Sequence, residues 1–283
     1  MKLCWFDEWR LGLAEGTDIV DVSEALTKLP LDPYPRLEGD RLFANLPLIA
    51  DAIIDASKNG KRHPIDAVTL RSPVARPTKI LGTPANYLDH VQEADAQPEV
   101  FTKRYRGKIE EQGLFLKAIS ALAGPGDGIC RRFPHRLTHH EMELAVIIGR
   151  LADRVSEHEA LSHVAGYAIG LDMTVRGPED RSFRKSIDSY AVLGPWCVTA
   201  DEIPDPMNLD FSLSVNGAVR QASNTRLMIM DVAQQITWAS SFYTLWPGDV
   251  LMTGTCEGVG PVSPGDVIHC EIERIGPMTV RVR

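Results

Sequence analysis

Residues 139–149 decide the fold and read His-His-Glu-Met-Glu-Leu-Ala-Val-Ile-Ile-Gly. Residues 144–148 of this stretch are apolar and rich in β-branched side chains, which predicts a buried strand. Because side chains on a strand alternate between its faces, Glu141 and Glu143 are expected to point the same way, about 7 Å apart. Two carboxylates at the end of an apolar strand repel each other and lose solvation, so a divalent cation is the simplest compensation. The alternative is a pair of acids at a solvent-exposed strand end, which has the same spacing.

Composition and charge narrow the class of protein. The chain has 283 residues, of which 44% are hydrophobic and 24% charged, and these values are ordinary for a soluble protein with one large domain or a large and a small one. A net charge of −8, with no Lys/Arg-rich block, argues against a nucleic-acid partner. No apolar run approaches the length of a membrane span or a signal peptide, so we expect no membrane association. The five cysteines are scattered without a C-x-x-C pair, which favours a reducing compartment, and we expect a cytoplasmic protein without structural zinc.

The first 70 residues are predicted to form a small N-terminal α/β domain, and residues 71–283 a larger catalytic domain. Short strands are expected at 2–6, 11–14 and 18–22, and a helix at about 47–58, where Asn59-Gly60 supplies the stop. No cluster of chemically active residues occurs in this part of the sequence. We therefore expect it to serve packing or assembly.

A second candidate cluster lies in residues 79–93. A strand is predicted to end at Leu81, and a helix to begin near Tyr87. His90 and Glu93 are three residues apart and therefore share one face of that helix. A carboxylate beside an imidazole can set its tautomer and raise its basicity, or the pair can activate a water molecule. An ordinary surface His–Glu pair has the same spacing and is the alternative.

Residues 164–172 read as a second buried strand that ends in Asp172, a candidate third carboxylate. Arg176 follows four residues later and suits a bidentate contact with a substrate carboxylate, although a structural acid could equally be its partner. Residues 177–190 are predicted to be loop, and Lys185 within them could stabilise a developing enolate near a metal.

Three further segments have recognisable patterns. Asn216-Gly217 predicts a type I′ hairpin turn between alternating strands. The glycine-rich run 253–260 would let a backbone approach a ligand closely, as in anion-binding loops, and a simple β-turn is the alternative. It lacks the ending of a P-loop, so nucleotide binding is not expected. Residues 95–113 are polar and could be a closing lid or a solvated loop.

In their shared order these features resemble the fumarylacetoacetate hydrolase family over about residues 75–283. The Glu-Met-Glu and Leu-Asp-Met-Thr runs look especially like its acylpyruvase, oxaloacetate decarboxylase and 2-hydroxyhepta-2,4-diene-1,7-dioate isomerase members. The runs that carry the resemblance are Asn86-Tyr87…His90…Glu93, Leu114-Phe-Leu-Lys117, Glu141-x-Glu143-Leu-Ala-Val, Gly166-Tyr…Leu171-Asp172-Met-Thr-x-Arg176, Lys185-Ser, Val215-Asn216-Gly217…Arg220-Gln221, Pro247-Gly-Asp-Val, Thr253-Gly-Thr255…Gly258-Val-Gly260 and Gly265-Asp266.

The resemblance implies a mixed α/β, mostly β fold of the β-roll (β-clip-like) type, with a small N-terminal domain and usually as a homodimer. It implies Mg²⁺ or Mn²⁺, with Ca²⁺ possible, held by Glu141, Glu143 and Asp172. It also implies a small anionic 2-oxo-acid substrate, with Thr255 at its carboxylate end. The residues implied in catalysis are His90, Glu93 and Lys185, and those implied in substrate binding are Tyr87, Lys117, Arg176, Gly254 and Thr255.

The sequence departs from the family pattern at three places. Thr83-Pro84-Ala85 replaces the usual glycine before Asn-Tyr, Cys256 replaces the usual proline after Thr-Gly-Thr, and residues 94–113 are long for the compact branch. All three are expected at the rim of the site, where they would affect the choice of substrate more than the metal.

The predicted function is a divalent-metal-dependent hydrolase that cleaves a carbon–carbon bond in a 1,3-diketo acid, either an acylpyruvate or a fumarylacetoacetate-like compound. Decarboxylation of an oxaloacetate-type substrate, or isomerisation or hydration of unsaturated 2-oxo acids, would use the same site and stays open. A non-catalytic metal- or ligand-binding homologue is an alternative of another class.

Overall fold

The computed structural model describes residues 1–31, 39–97 and 109–283, so most of the predicted lid at 95–113 lies outside the described residues. The α-helices are α1 (Arg41–Ala44), α2 (Leu46–Ser57), α3 (Leu88–Ala96), α4 (Ile109–Gln112), α5 (Glu157–Ala160), α6 (Arg181–Lys185) and α7 (Val232–Phe242). The strands are β1 (Lys2–Phe6), β2 (Arg10–Glu15), β3 (Asp18–Asp21), β4 (Arg62–Pro64), β5 (Ile80–Gly82), β6 (Phe115–Lys117), β7 (Leu122–Ala123), β8 (Thr138–His140), β9 (Met142–Ile148), β10 (Val164–Asp172), β11 (Thr174–Val175), β12 (Ala191–Thr199), β13 (Asp210–Val215), β14 (Ala218–Asn224), β15 (Val250–Thr255), β16 (Gly260–Pro261), β17 (Val267–Ile272) and β18 (Gly276–Arg281). Within these segments, no helix combines the length and the apolar character needed to cross a bilayer.

One large mixed sheet organises the molecule. Its strand order is β4-β3-β2-β1-β12-β10-β9-β15-β5-β6, and β7 pairs with β12. Two smaller sheets have the orders β11-β8-β16 and β14-β13-β17-β18. The described residues therefore form the mixed α/β, mostly β architecture expected from the sequence.

The predicted strand after Glu141 is β9, and all its residues are buried. Leu144 and Val146 face one hydrophobic core, whereas Ala145 and Ile147 face a second core on the other side of the sheet. Burying one large apolar side chain contributes about 1.5–3 kcal/mol, so the apolar residues on both faces fix the register of this strand. The register in turn fixes where Glu143 points.

The N-terminal residues extend the large sheet. β1 pairs antiparallel with β12, β2 with β1, and β3 with β2, while α2 buries Leu46, Ile49 and Ile53. The three strands and the helix expected in this part of the chain are thus present. The division into two domains at residue 70 stays a prediction.

Two local predictions had different outcomes. Asn216 and Gly217 have φ angles of 51° and 81° between β13 and β14, as a type I′ turn requires. The prediction of loop throughout 177–190 is wrong, because α6 occupies five of these residues. The Asp180 side chain caps this helix by accepting a hydrogen bond from the Ser182 N–H. A helix of this length is too short to produce a periodic apolar pattern.

Candidate active site

Three neighbouring strands bring the predicted carboxylates together. Glu143 on β9 lies opposite Gly170 of β10 and Thr255 of β15. Asp172 ends β10, and its N–H donates to the Glu141 carbonyl at 2.8 Å. Carboxylate oxygens of Glu141, Glu143 and Asp172 lie within 4.8 Å of one another, and all three side chains are buried. The structure therefore places the three predicted metal ligands in one cluster.

This donor set fits a hard divalent cation. Buried charges that repel one another are costly unless a cation compensates them. Mg²⁺ and Mn²⁺ prefer carboxylate oxygens, and three ligands from the protein leave coordination positions for water or substrate. The chemistry and the spacing of the oxygens both agree with the predicted cofactor.

Three cationic side chains contact two of these carboxylates, Glu141 and Asp172. The Lys185 ammonium donates to Glu141 Oε2 at 2.6 Å, to Asp172 Oδ2 at 2.5 Å and to Thr174 Oγ1 at 2.7 Å. Arg176 Nη2 donates to Glu141 Oε1 at 2.9 Å. Lys117 is completely enclosed and donates to Asp172 Oδ1, and its burial lowers the pKa of its ammonium group although Asp172 opposes that shift.

Glu141 and Glu143 differ in their electrostatic surroundings. Burial raises the pKa of the Glu141 carboxyl, but Lys185 and Arg176 outweigh it and hold that pKa below its usual range. Burial, followed by repulsion from Asp172, raises the pKa of Glu143 well above its usual range. The Gly254 N–H donates to Glu143 Oε2 at 2.8 Å and offsets only part of this shift.

The predicted dyad is present on α3. His90 Nδ1 lies 2.9 Å from Glu93 Oε2, so the carboxylate orients the imidazole. Glu93 Oε1 in turn accepts a hydrogen bond from the Gly258 N–H at 3.0 Å. A proton on Nδ1, facing the carboxylate, makes Nε2 the basic nitrogen of this imidazole.

The glycine-rich run 253–260 binds anions that belong to the protein itself. Its Gly254 and Gly258 have φ angles of +94° and +88°, and their N–H groups hold the Glu143 and Glu93 carboxylates. A Cβ at position 254 would lie 2.6 Å from the Asn86 Cβ. The run therefore links Glu143, a predicted metal ligand, to Glu93 of the predicted dyad by main-chain hydrogen bonds.

One cavity joins these groups. Among the residues predicted to bind substrate, Arg176 and Thr255 line it. Tyr87 is not part of the lining and packs edge-on against Phe211, with ring centroids 6.0 Å apart. Lys117 and Gly254 are also not part of the lining, and they contact Asp172 and Glu143 of the predicted metal site instead. The lining consists of Thr83, Pro84, Ala85, His90, Ala94, Gln112, Phe115, Glu141, Glu143, Asp172, Arg176, Gly177, Arg181, Arg184, Lys185 and Thr255.

Two of the departures from the family pattern have clear positions. Ala85 lines the cavity with a φ of +49°, a conformation that glycine adopts with less strain. Cys256 is buried, and its thiol donates to the Glu257 carbonyl at 3.3 Å. Burial raises the pKa of this thiol to about 12, so it stays protonated at neutral pH and does not act as a nucleophile.

Several residues at the site had no role predicted from the sequence. Gln221 Oε1 accepts from the Met142 N–H and contacts His140 Nδ1, both at 3.1 Å, and its Nε2 donates to Thr255 Oγ1 at 2.7 Å. Burial lowers the pKa of the His140 imidazole to about 4, so it is neutral at neutral pH. Arg181 and Arg184 line the cavity from α6. The sequence pattern that could have predicted Arg181 and Arg184 is the high density of cationic residues in 176–185.

Comparison with known proteins identifies the family. The fumarylacetoacetate (FAA) hydrolase C-terminal model matches residues 79–283. The chain belongs to the fumarylacetoacetate hydrolase family. The maleylpyruvate hydrolase of Aquipseudomonas alcaligenes is 50% identical over 285 residues, which cover 100% of this chain and 99% of that protein. The mitochondrial oxaloacetate tautomerase FAHD2A of Bos taurus is 36% identical over 232 residues, covering 77% and 71%.

A solved structure extends the likeness to three dimensions. The crystal structure of maleylpyruvate hydrolase from Sphingobium sp. SYK-6, in complex with manganese(II) ion and pyruvate, matches with a TM-score of 0.84 and 41% identity, covering 100% of this chain and 98% of that one. These findings confirm the predicted family, its fold and the enzyme class, a metal-dependent hydrolase of carbon–carbon bonds in ketonic substances. The manganese(II) of that relative agrees with the cofactor predicted here. The roles of individual site residues remain predictions.

Proposed function

We propose that this member of the family hydrolyses acylpyruvates, with maleylpyruvate as the first candidate substrate. The observation that carries the proposal is a single cavity lined by the three carboxylates, by His90 and by Lys185. The full-length likeness to maleylpyruvate hydrolases supports the choice of substrate. A 2-oxo-acid end would lie at the carboxylate cluster, and the acyl arm would extend along the rest of the cavity.

The chain's own residues account for the proton transfers. A divalent cation held by Glu141, Glu143 and Asp172 supplies Lewis-acid polarisation of oxygens when it is bound. His90, oriented by Glu93, takes a proton from water, and the water oxygen bonds to the acyl carbonyl carbon, C4. The C3–C4 bond then breaks, its electron pair forms the pyruvate enolate, and the proton that His90 took from water passes to C3. The Lys185 ammonium offers charge stabilisation to the enolate oxygen. One water and one acylpyruvate give a carboxylic acid and pyruvate.

The test is pyruvate release by EDTA-treated protein, followed with lactate dehydrogenase, before and after Mn²⁺ or Mg²⁺ is added. We expect metal-dependent pyruvate release from maleylpyruvate, with maleate as the second product. Glu143→Gln should lose turnover, whereas Glu271→Gln, an exposed change on β17, should keep it. Metal-independent turnover, or a fully active Glu143→Gln protein, would contradict the proposal.

Oxaloacetate chemistry is a second candidate, because an oxaloacetate tautomerase is among the relatives. Interconversion of its keto and enol forms requires only proton transfer, which His90 could provide, and decarboxylation would pass through the same enolate. Ultraviolet absorbance of the enol and release of CO₂ separate the two reactions. Turnover of oxaloacetate without any turnover of acylpyruvates would favour this second function.

We also propose that the protein is a cytoplasmic homodimer. Five free cysteines suit a reducing compartment, and Leu227 and Ile229 leave about half of their surface exposed, at 53% and 49%. Light scattering coupled to gel filtration measures the mass of the particle, and a monomer at micromolar concentration would contradict the dimer. The division into two domains at residue 70 is a separate proposal, and expression of residues 71–283 alone tests it.

A further inference from the structure

The short helix α6 presents three cations to the cavity. Arg184 and Lys185 follow Arg181 by three and four residues, so both share a helix face with it. All three are buried and line the cavity, whereas Phe183 between them is 53% exposed on the other face. The sequence of this helix therefore directs its positive charge inward.

The side chains of α6 are held in defined positions. Arg181 Nη2 donates to the Gln112 side-chain oxygen at 2.5 Å, and its guanidinium lies 5.2 Å from the centroid of the Phe115 ring. Arg184 Nε donates to the Glu179 carbonyl at 3.0 Å. The same Phe115 ring lies 5.1 Å from the Lys185 ammonium. These contacts preorganise the cations, which lowers the entropy lost when they bind a ligand.

The order of the cations along α6 matches the length of a substrate. Lys185 marks the metal end, because it contacts Glu141 and Asp172. Arg181 lies four residues earlier, about 6 Å along the helix axis. In a seven-carbon acylpyruvate diacid, five bonds of about 1.5 Å separate the 2-oxo carbon from the distal carboxylate, a span of at most roughly 6 Å. A distal carboxylate would therefore fall near Arg181 when the 2-oxo end lies at Lys185.

We propose that Arg181 and Arg184 bind a second carboxylate on the acyl arm, and so select dicarboxylic over monocarboxylic acylpyruvates. This proposal rests on the proposed acylpyruvate hydrolase function. The cavity lining has four cationic and three carboxylate side chains, so a bound divalent cation leaves a net positive charge that a dianion neutralises better than a monoanion. Arg176, the sequence-based candidate for this role, contacts Glu141 at the metal end.

The first experiment compares two substrates. Wild type, Arg181→Met and Arg184→Met are assayed as Mn²⁺-loaded enzymes with maleylpyruvate and with acetylpyruvate, which lacks the distal carboxylate. We expect kcat/KM for maleylpyruvate to fall about 10- to 100-fold, mainly through KM, and kcat/KM for acetylpyruvate to change little. Arg154→Met, at an arginine whose side chain is 78% exposed, is the matched control and should behave as wild type. An equal fall on both substrates, or no fall on maleylpyruvate, would overturn the proposal.

The second experiment does not need turnover. Calorimetry measures binding of 2-oxopimelate, a diacid, and of 2-oxoheptanoate, its monoacid analogue, to the Mn²⁺-loaded protein. We expect wild type to prefer the diacid and Arg181→Lys to lose part of that preference, since lysine keeps the charge without the planar fork. Arg181→Lys also replaces Arg181→Met in the comparison of substrates if the methionine variant fails to fold. A diacid preference in a protein that hydrolyses no acylpyruvate would refute the function and keep the subsite, whereas equal binding of both acids would refute the subsite.

Discussion

Gln221 should couple the fold to metal binding, and Gln221→Ala is the perturbation that tests this. The side chain is buried on β14 and reaches Met142, the residue between Glu141 and Glu143. Its amide nitrogen also donates to the Cys256 carbonyl at 3.0 Å, beside the run that holds Glu143. Truncation therefore removes one side chain that ties together both sides of the carboxylate cluster.

The expected loss of stability follows from the groups left behind. Leaving one buried donor or acceptor without its partner costs about 1–3 kcal/mol. Gln221→Ala removes the side-chain partner of the Met142 N–H and of the Cys256 carbonyl, which predicts a loss of about 3 kcal/mol. Gln221→Glu should be nearly as damaging, because a carboxylate cannot donate to the Cys256 carbonyl and adds negative charge beside the cluster.

The assay is urea unfolding in EDTA and in Mn²⁺. Bound metal stabilises the native state by about 2.7 kcal/mol at one hundred times its Kd, and this increment should shrink in Gln221→Ala. Val219→Ala, at an exposed position on the same strand, should change stability by less than about 0.5 kcal/mol. The coupling would be refuted by a Gln221→Ala protein that is as stable as this control. It would also be refuted by one that is less stable in EDTA but still gains the full wild-type increment of stability when Mn²⁺ is added.

Three other changes test separate parts of the site. Gly254→Ala should lower the free energy of unfolding by about 2 kcal/mol or more and weaken Mn²⁺ binding, because its Cβ would meet Asn86. Gly265→Ala, at a similar φ of +96° with no atom within 4 Å, is the control in urea unfolding and should lose only the stability that backbone strain costs. His90→Asn and Glu93→Gln should lower kcat by about 10²- to 10⁴-fold with Mn²⁺ affinity unchanged by electron paramagnetic resonance, and a loss of metal binding would count against a proton-transfer role. Thiol titration of the native enzyme should show fast reaction at Cys130 alone, since the other four cysteines are buried, whereas denatured protein should show all five.

Local periodicity indicated the positions of the carboxylates and of the His–Glu pair, and the family resemblance then favoured a metal site and a dyad over surface pairs. The alternation along β9 oriented Glu143, the apolar run before Asp172 identified a second strand, and the spacing of His90 and Glu93 placed them on one helix face. Each of these inferences depends on residues within one element. The pairing of β9 with β10 then brought the elements together, which buried neighbouring strands commonly do.

The supporting residues could not be predicted in this way. Gln221 is 79 positions from Met142 in the chain, and a single glutamine on an alternating strand has no local signal for such a contact. Tyr87 lies within the family run that includes His90, yet its ring is buried in the hydrophobic core against Phe211 and is not part of the cavity lining. The cations of α6 acquired a common face only because Asp180 begins a helix there. Contacts between residues far apart in the chain, and helices of about one turn, could not be predicted from the sequence pattern.

The opposite environments of Glu141 and Glu143 lead to a last prediction. Glu141 contacts Lys185 and Arg176, so Glu141→Gln breaks a buried ion pair and should cost about 3–5 kcal/mol of stability. Glu143 accepts a main-chain N–H and is repelled by Asp172, so Glu143→Gln should be nearly neutral or stabilising in EDTA. Both changes replace a charged carboxylate of the predicted metal site with a neutral amide and should greatly reduce the Mn²⁺-dependent gain in stability. If Glu143→Gln proved the more destabilising of the two in EDTA, the assignment of these cations to Glu141 would be wrong. If both variants behave as predicted, Glu141 stabilises the fold and also binds the metal, whereas Glu143 contributes to metal binding alone.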